Sequence, residues 1–192
     1  SPGVPTDIPL VNRMRDRGVQ ILGEIELGFL AEQGRVIAIT GTNGKTTTTT
    51  LTGEIMKAHF GKDKTFVVGN IGNPYTLEAD KTSKDSVTVG EISSFQLETI
   101  HTFHPVVSAI LNITPDHLNR HHTMEAYVAA KEAVASQQTK ADICVLNYDN
   151  DYTRDFAGRC PATPVLFSSH QELENGYFLR GDKIIKSVNG EE

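Results

Sequence analysis

The sequence predicts an α/β protein: a doubly wound, mostly parallel sheet of the P-loop type, with a small β-hairpin near its C-terminal end. Three observations predict it. Short, β-branched and nearly unbroken apolar runs alternate with helical stretches, as strands covered on both faces should. A Gly-punctuated turn, "GTNGKT", joins the first of these runs to a helix. Amides, carboxylates and imidazoles also gather at the ends of five successive strands, where open α/β sheets bind ligands.

The elements follow in order. "SPGVPTDIP" holds three prolines and reads as loop. "LVNRMRDRG" reads as a short amphipathic helix ended by Gly18, and "VQIL" as a strand. The main strands are expected at Val36–Thr40, Thr65–Val68, Ser86–Glu91, Val106–Asn112 and Ile143–Asn147, with "PVLFS" around Val165 as a sixth. Helices are expected at Lys45–Phe60, around Gln96–His101 and at Met124–Gln137. The threonine run from Thr46 to Thr50 belongs to the first turns of the Lys45 helix. "YFLRGDKIIKSV" is a hairpin that turns at Gly181-Asp182.

Composition narrows the function classes. A chain of 192 residues can bury a real core as one domain, with room for a fragment of another. Eighteen basic against twenty-four acidic residues leave a net charge of -6 without a basic block, which argues against nucleic acid. Cys144 and Cys160 make neither a disulfide framework nor a zinc pattern. With no apolar run of membrane-spanning length and no signal peptide, the expectation is a soluble, cytoplasmic protein that engages no membrane.

The loop after the first strand carries the strongest motif. The usual P-loop places Gly five residues before the Gly of Gly-Lys-Thr, but Ile39 holds that position and Gly41 comes only three residues earlier. The chemistry survives this change. Gly44 lets backbone approach a phosphate, Lys45 supplies a point charge, and Thr46 offers a hydroxyl to Mg²⁺. A strand, a loop and a helix in that order converge backbone N–H groups and a helix N-terminus on one anion.

The other clusters each allow a plain reading and a functional one. Asn70, within "GNIGNP", is a turn residue or a ligand-facing amide. Glu91 is a surface carboxylate or, ending an apolar strand before Ser93-Ser94, an acid placed to hold Mg²⁺. His117 is a hydrogen-bonded loop histidine or a functional group, and Asp116 beside it could orient its ring. His121 and His122 cannot face the same way and are read as facing solvent. Lys131, inside "EAYVAAKEAVA", has the local character of a solvated helix lysine, and "NYDND" that of an Asx-rich turn.

"SPGVP", "GEIEL", "GTNGKTT", "GNIGNP", "ISSFQLE" and "NITPDHLNRH", in this order and spacing, resemble the Mur ligases from residue 1 to about Asn147. "GTNGKTT" alone would also admit folylpolyglutamate synthases. "SSFQLE" and the "SPG…GEIEL" lead-in favour the branch that adds D-glutamate to UDP-N-acetylmuramoyl-L-alanine. The resemblance implies ATP and two Mg²⁺ ions as cofactors, with those two compounds as partners. It implies that Gly41, Thr42, Asn43, Gly44, Lys45, Thr46 and Thr47 bind the nucleotide. Lys45, His117 and Lys131 would be the catalytic residues, with Lys131 carried as a carbamate. Thr46 and Glu91 would hold the first metal and His117 the second, while Asn70 and Ser93 would face the substrate.

Asn119 departs from the family, standing where relatives often have Asp. The resemblance further implies that residues 1–23 are the tail of an N-terminal UDP-binding domain and that 24–192 form the central ATP-binding domain. A nucleotide-binding module without ligase chemistry is the rival from another class.

Overall fold

The computed structural model describes residues 2–192, so the serine opening the "SPG" string lies outside the described residues. Eight strands form one sheet: β1 (Arg35–Thr40), β2 (Thr65–Gly69), β3 (Val87–Glu91), β4 (Val107–Ile110), β5 (Ile143–Asn147), β6 (Thr163–Ser168), β7 (Gly176–Arg180) and β8 (Lys183–Ser187). Their spatial order is β2-β3-β1-β4-β5-β6-β7-β8. Every pairing is parallel except β7 with β8, so the C-terminal hairpin extends the sheet through a short parallel contact of β7 with β6.

The helices are α1 (Pro9–Asp16), α2 (Glu24–Ala31), α3 (Lys45–Phe60), α4 (Tyr75–Glu78), α5 (Ser94–Leu97), α6 (Leu118–His121), α7 (Met124–Glu132) and α8 (Asp151–Ala157). Alternation along β1 sends Val36 and Ala38 into the larger core cluster with Ile25 of α2, Tyr127 of α7 and Phe156 of α8. Ile39 points to the other face, where a smaller cluster with Val89 and Ala109 receives Met56 of α3. A sheet with helices on both faces buries both sides of its central strands.

The chain steps from β1 through β2 and β3 on one side, then crosses to β4 on the other side of β1. The C-terminal ends of β1 and β4 therefore border the crevice that such a switch opens.

Helix α3 is poor in local propensity, because its threonines lose rotamer freedom in a helix. Packing compensates. Gly53 lets it sit tight on β2, for a Cβ there would lie 2.6 Å from a methyl of Val67.

Several expectations need correction. "VQIL" is no strand: the segment joins no ladder of the sheet, and its Ile21 carbonyl lies 2.9 Å from His101 Nε2. "GEIEL" opens helix α2, and "NYDND" is more than a turn, because Asn150 caps α8 through the Thr153 N–H. The helix expected around Gln96–His101 begins earlier and lasts one turn. The α-helix expected through Gln137 gives way to a 3₁₀ turn at Ala133–Ala135.

Candidate active site

The loop between β1 and α3 is held from outside itself. Asn112, just past β4, accepts the Thr42 N–H on its carbonyl at 2.9 Å and the Asn43 N–H on its side chain at 2.8 Å, and its amide donates back to the Asn43 carbonyl. Gly44 then turns at φ +80°, a left-handed geometry that glycine adopts without strain, and α3 begins at Lys45. Backbone N–H groups at the start of a sixteen-residue helix thus sit at the switch point.

Two lysines flank this loop. Lys45 Nζ donates to the Thr42 carbonyl at 2.8 Å, and Lys131 Nζ to the Gly41 carbonyl, also at 2.8 Å. Lys131 is buried, 2 % exposed, although it lies on a short helix that starts at the surface. Burial, reinforced by the Lys45 charge, lowers its pKa to about 7 against a smaller opposing pull from Asp116. The ring of Tyr127, one turn earlier on α7, lies 4.7 Å below the ammonium. The Tyr127 hydroxyl is 3.1 Å from Thr42 Oγ1, which also bonds both backbone groups of Thr114.

A small pocket opens between these groups and brings together Lys45, Ser93, His117 and Lys131, with Thr42 and Ser94 also in its lining. Ser93 caps α5 in a reciprocal capping box with Gln96. His117 sits at φ +51° ahead of α6, half exposed, with its ring 4.9 Å from that of Phe95. Asp116 accepts the His117 backbone N–H at 2.8 Å and leaves its other oxygen 3.4 Å from Nε2.

Glu91 and Asn70 stand together outside this pocket lining. The Asn70 amide donates to Glu91 Oε1 at 2.8 Å, while Glu91 is 1 % exposed and its Oε2 has no partner among the described residues. A buried carboxylate oxygen without a donor is costly unless a cation or proton meets it. No group of three His, Cys, Asp or Glu side chains among the described residues forms a ready metal cage. Thr46 is exposed on the first turn of α3.

The reading of His121 needs correction. His122 faces solvent, but His121 is buried between Phe95 and Tyr127, because the four-residue helix α6 turns it inward before the chain kinks at His122 (φ +67°). Sequence reasoning also passed over Tyr127, whose only signal was its position one helical turn before Lys131.

Residues 39–191 match the Mur ligase middle domain. The chain belongs to the Mur ligase family. Two relatives, both named UDP-N-acetylmuramoylalanine--D-glutamate ligase, show how near this Mur ligase chain lies to that branch. The protein from Lachnospira eligens is 59% identical over 190 residues, covering 99% of this chain and 42% of its own length. The one from Lachnoclostridium phytofermentans is 60% identical, covering 96% and 40%. The chain thus spans about two fifths of the length of these relatives. Among solved structures, MurF from Acinetobacter baumannii has a TM-score of 0.60 at 21% identity, over 81% of this chain and 35% of its own. MurF from Thermotoga maritima in complex with ADP scores 0.59 at 19%, over 87% and 41%. At such identities they speak for the Mur ligase fold alone. No described helix is long and apolar enough to cross a membrane.

Proposed function

We propose that the protein carrying this chain is an ATP-dependent ligase that joins D-glutamate to UDP-N-acetylmuramoyl-L-alanine, the two compounds being its partners. The relatives' names give the reaction, and one observation in the structure carries it: the buried Lys131 turned onto the phosphate loop. A nucleotide-binding module without ligase chemistry has no use for an amine desolvated at that point. Residues 24–192 serve as the ATP-binding unit in this reading, with 1–23 as the lead-in from a preceding domain. A need for ATP, together with the free, buried Cys144 and Cys160, supports a cytoplasmic setting in this reading.

ATP supplies a phosphoryl group to the terminal carboxylate of the muramoyl-alanine, and the amine of D-glutamate then displaces phosphate to form the amide. The chain positions and neutralises. Residues Gly41 to Thr47 wrap the phosphates with backbone N–H groups, and Lys45 balances their charge. Asn70 and Ser93 face the muramoyl side. Mg²⁺ would fit at the orphaned Glu91 Oε2 with the Thr46 hydroxyl, and a second ion at His117 with a Lys131 carbamate, where the ions would screen phosphate charge.

The test uses the full-length protein with ATP, Mg²⁺, UDP-N-acetylmuramoyl-L-alanine and D-glutamate, followed by product mass. Lys45→Ala should cut turnover by about 10²–10³ with an unchanged circular dichroism spectrum. Retained turnover would sink the role of Lys45. Wild-type product with a folate in place of the muramoyl compound would move the enzyme to a neighbouring ligase.

A further inference from the structure

The pairing of β4 with β5 stops at Ile110 and Leu146, yet side chains keep the two segments joined beyond that point. The Asn147 amide donates to the Leu111 carbonyl at 2.9 Å. Farther along, Asn150 takes both backbone groups of Ile113. Its oxygen accepts the N–H at 3.3 Å, and its amide donates to the carbonyl at 3.0 Å. An asparagine side chain carries an acceptor beside an N–H donor, so it can stand in for the peptide group of a strand partner. The backbone of β5 cannot fill that place, because past Asn147 it turns into α8.

On its other side, the same segment carries the pairing of β4 with β1 onward along the phosphate loop. The Leu111 N–H donates to the Thr40 carbonyl at 3.0 Å, and the Thr42 N–H to the Asn112 carbonyl at 2.9 Å. The fit is close, for a Cβ on Gly41 would lie 3.1 Å from that of Leu111. Asn112, whose side chain grips Asn43, thus has a braced neighbour on each side. Capping of α8 does not account for this, because the cap uses only the Asn150 oxygen and leaves its amide for Ile113.

We infer that Asn147 and Asn150 of "NYDND" are positioning residues for the phosphate loop: they hold Leu111 and Ile113 so that Asn112 meets Thr42 and Asn43. This role rests on the reading in which the loop takes the phosphates of ATP. Thr42 and Asn43 immediately precede Gly44, where the chain turns into α3. Their placement therefore sets the direction from which the first N–H groups of that helix meet an anion. A loop fixed before ATP arrives loses less freedom on binding than one that ATP itself must order.

Asn150→Ser separates the two roles of that residue. Serine still caps a helix, but its single hydroxyl cannot serve both backbone groups of Ile113. In the full-length protein, Asn150→Ser and Asn147→Ala should each weaken ATP binding about five- to tenfold, read by calorimetry with ATP and Mg²⁺. The KM for D-glutamate should stay within about twofold of wild type. Adding Asn150→Ser to Asn112→Ala should bring little further loss than Asn112→Ala alone, because both act through one contact. Without nucleotide, amide hydrogen exchange at Thr42 and Asn43 should quicken in Asn150→Ser while the middle of α3 keeps its protection. Glu26→Ala, a destabilising change whose bonds run to the chain at 101–103, should leave ATP affinity at its wild-type value. If Asn147→Ala fails to fold, Asn150→Ser decides alone. Wild-type affinity and exchange in the folded variants, or losses additive with Asn112→Ala, would overturn the positioning role. A wild-type protein that binds no ATP overturns the phosphate-loop reading and this role together, whereas ATP binding beside unmoved variants overturns only the role.

Discussion

Lys45, at the end of the loop, and Lys131, from α7, each donate to a carbonyl of the loop's backbone. Two ammonium groups so placed repel, and the buried one yields. With a pKa near 7, about half of Lys131 is the neutral amine at neutral pH. An exposed lysine would be neutral about one time in three thousand there. Neutral amine is the form that captures CO₂, so the setting favours a carbamate. A ¹³C signal from labelled CO₂ should grow as pH rises through about 7 and vanish in Lys131→Ala, whose lost activity short carboxylic acids should partly restore. Absence of both the signal and the rescue rules the carbamate out. Lys45 was legible in the sequence because Gly-Lys-Thr after a strand is a local pattern. Lys131 was not, since its burial depends on a fold that brings α7 onto a loop ninety residues earlier, and only the family resemblance pointed to it. His121 was misread for a related reason: exposure was inferred from two adjacent histidines, but a one-turn helix between positive-φ residues decides which of them faces in.

Among the elements, the central strands were the most legible, because a parallel strand covered on both faces is apolar at nearly every position. β5 spans the expected Ile143–Asn147, and α3 the expected Lys45–Phe60. Helix α2 escaped because it is short and apolar around most of its circumference, with no polar stripe to show a 3.6-residue period. Of its two glutamates, Glu24 and Glu26, the second is buried and organises the chain after α5. The Glu26 carboxylate accepts the backbone N–H groups of His101, Thr102 and Phe103 and the Thr102 hydroxyl. Burial alone would raise its pKa, but these four donors together outweigh it and hold the carboxyl below its ordinary value. The unfolded chain therefore binds this proton more tightly than the folded one. Its stabilisation is present above the ordinary glutamate value and is lost as pH falls through the lower, folded value. Glu26→Ala should destabilise the fold by about 3 kcal/mol at pH 7, measured by urea unfolding, and should flatten the acid side of the stability profile. A loss within about 0.5 kcal/mol would show that the loop holds itself.

At the scale of the whole molecule, one sheet end carries nearly everything the proposed chemistry needs from this chain. The crevice between β1 and β4 collects the phosphate loop, its Asn112 clamp, both lysines and His117. That concentration follows from topology, which is why the polar residues at strand ends are legible in the sequence. What the topology does not supply is an opposing wall. Asn43, Gly44, Thr46 and Thr47 are exposed, as are Asp116 and His117, so water screens the charges that would hold a nucleotide. Amide formation requires the activated carboxylate and the amine to be held within about 3–3.5 Å, and such positioning is worth ~7–11 kcal/mol of barrier. The relatives are more than twice as long as this chain, and that difference has to provide the holding. The isolated 192-residue chain should therefore bind ATP weakly and form no amide when given ATP, Mg²⁺, UDP-N-acetylmuramoyl-L-alanine and D-glutamate. Calorimetry reads the first expectation and product mass the second. Product at a rate near that of a full-length relative would mean that residues 24–192 already hold both substrates, and the ATP-binding unit would have to be redrawn as a complete ligase.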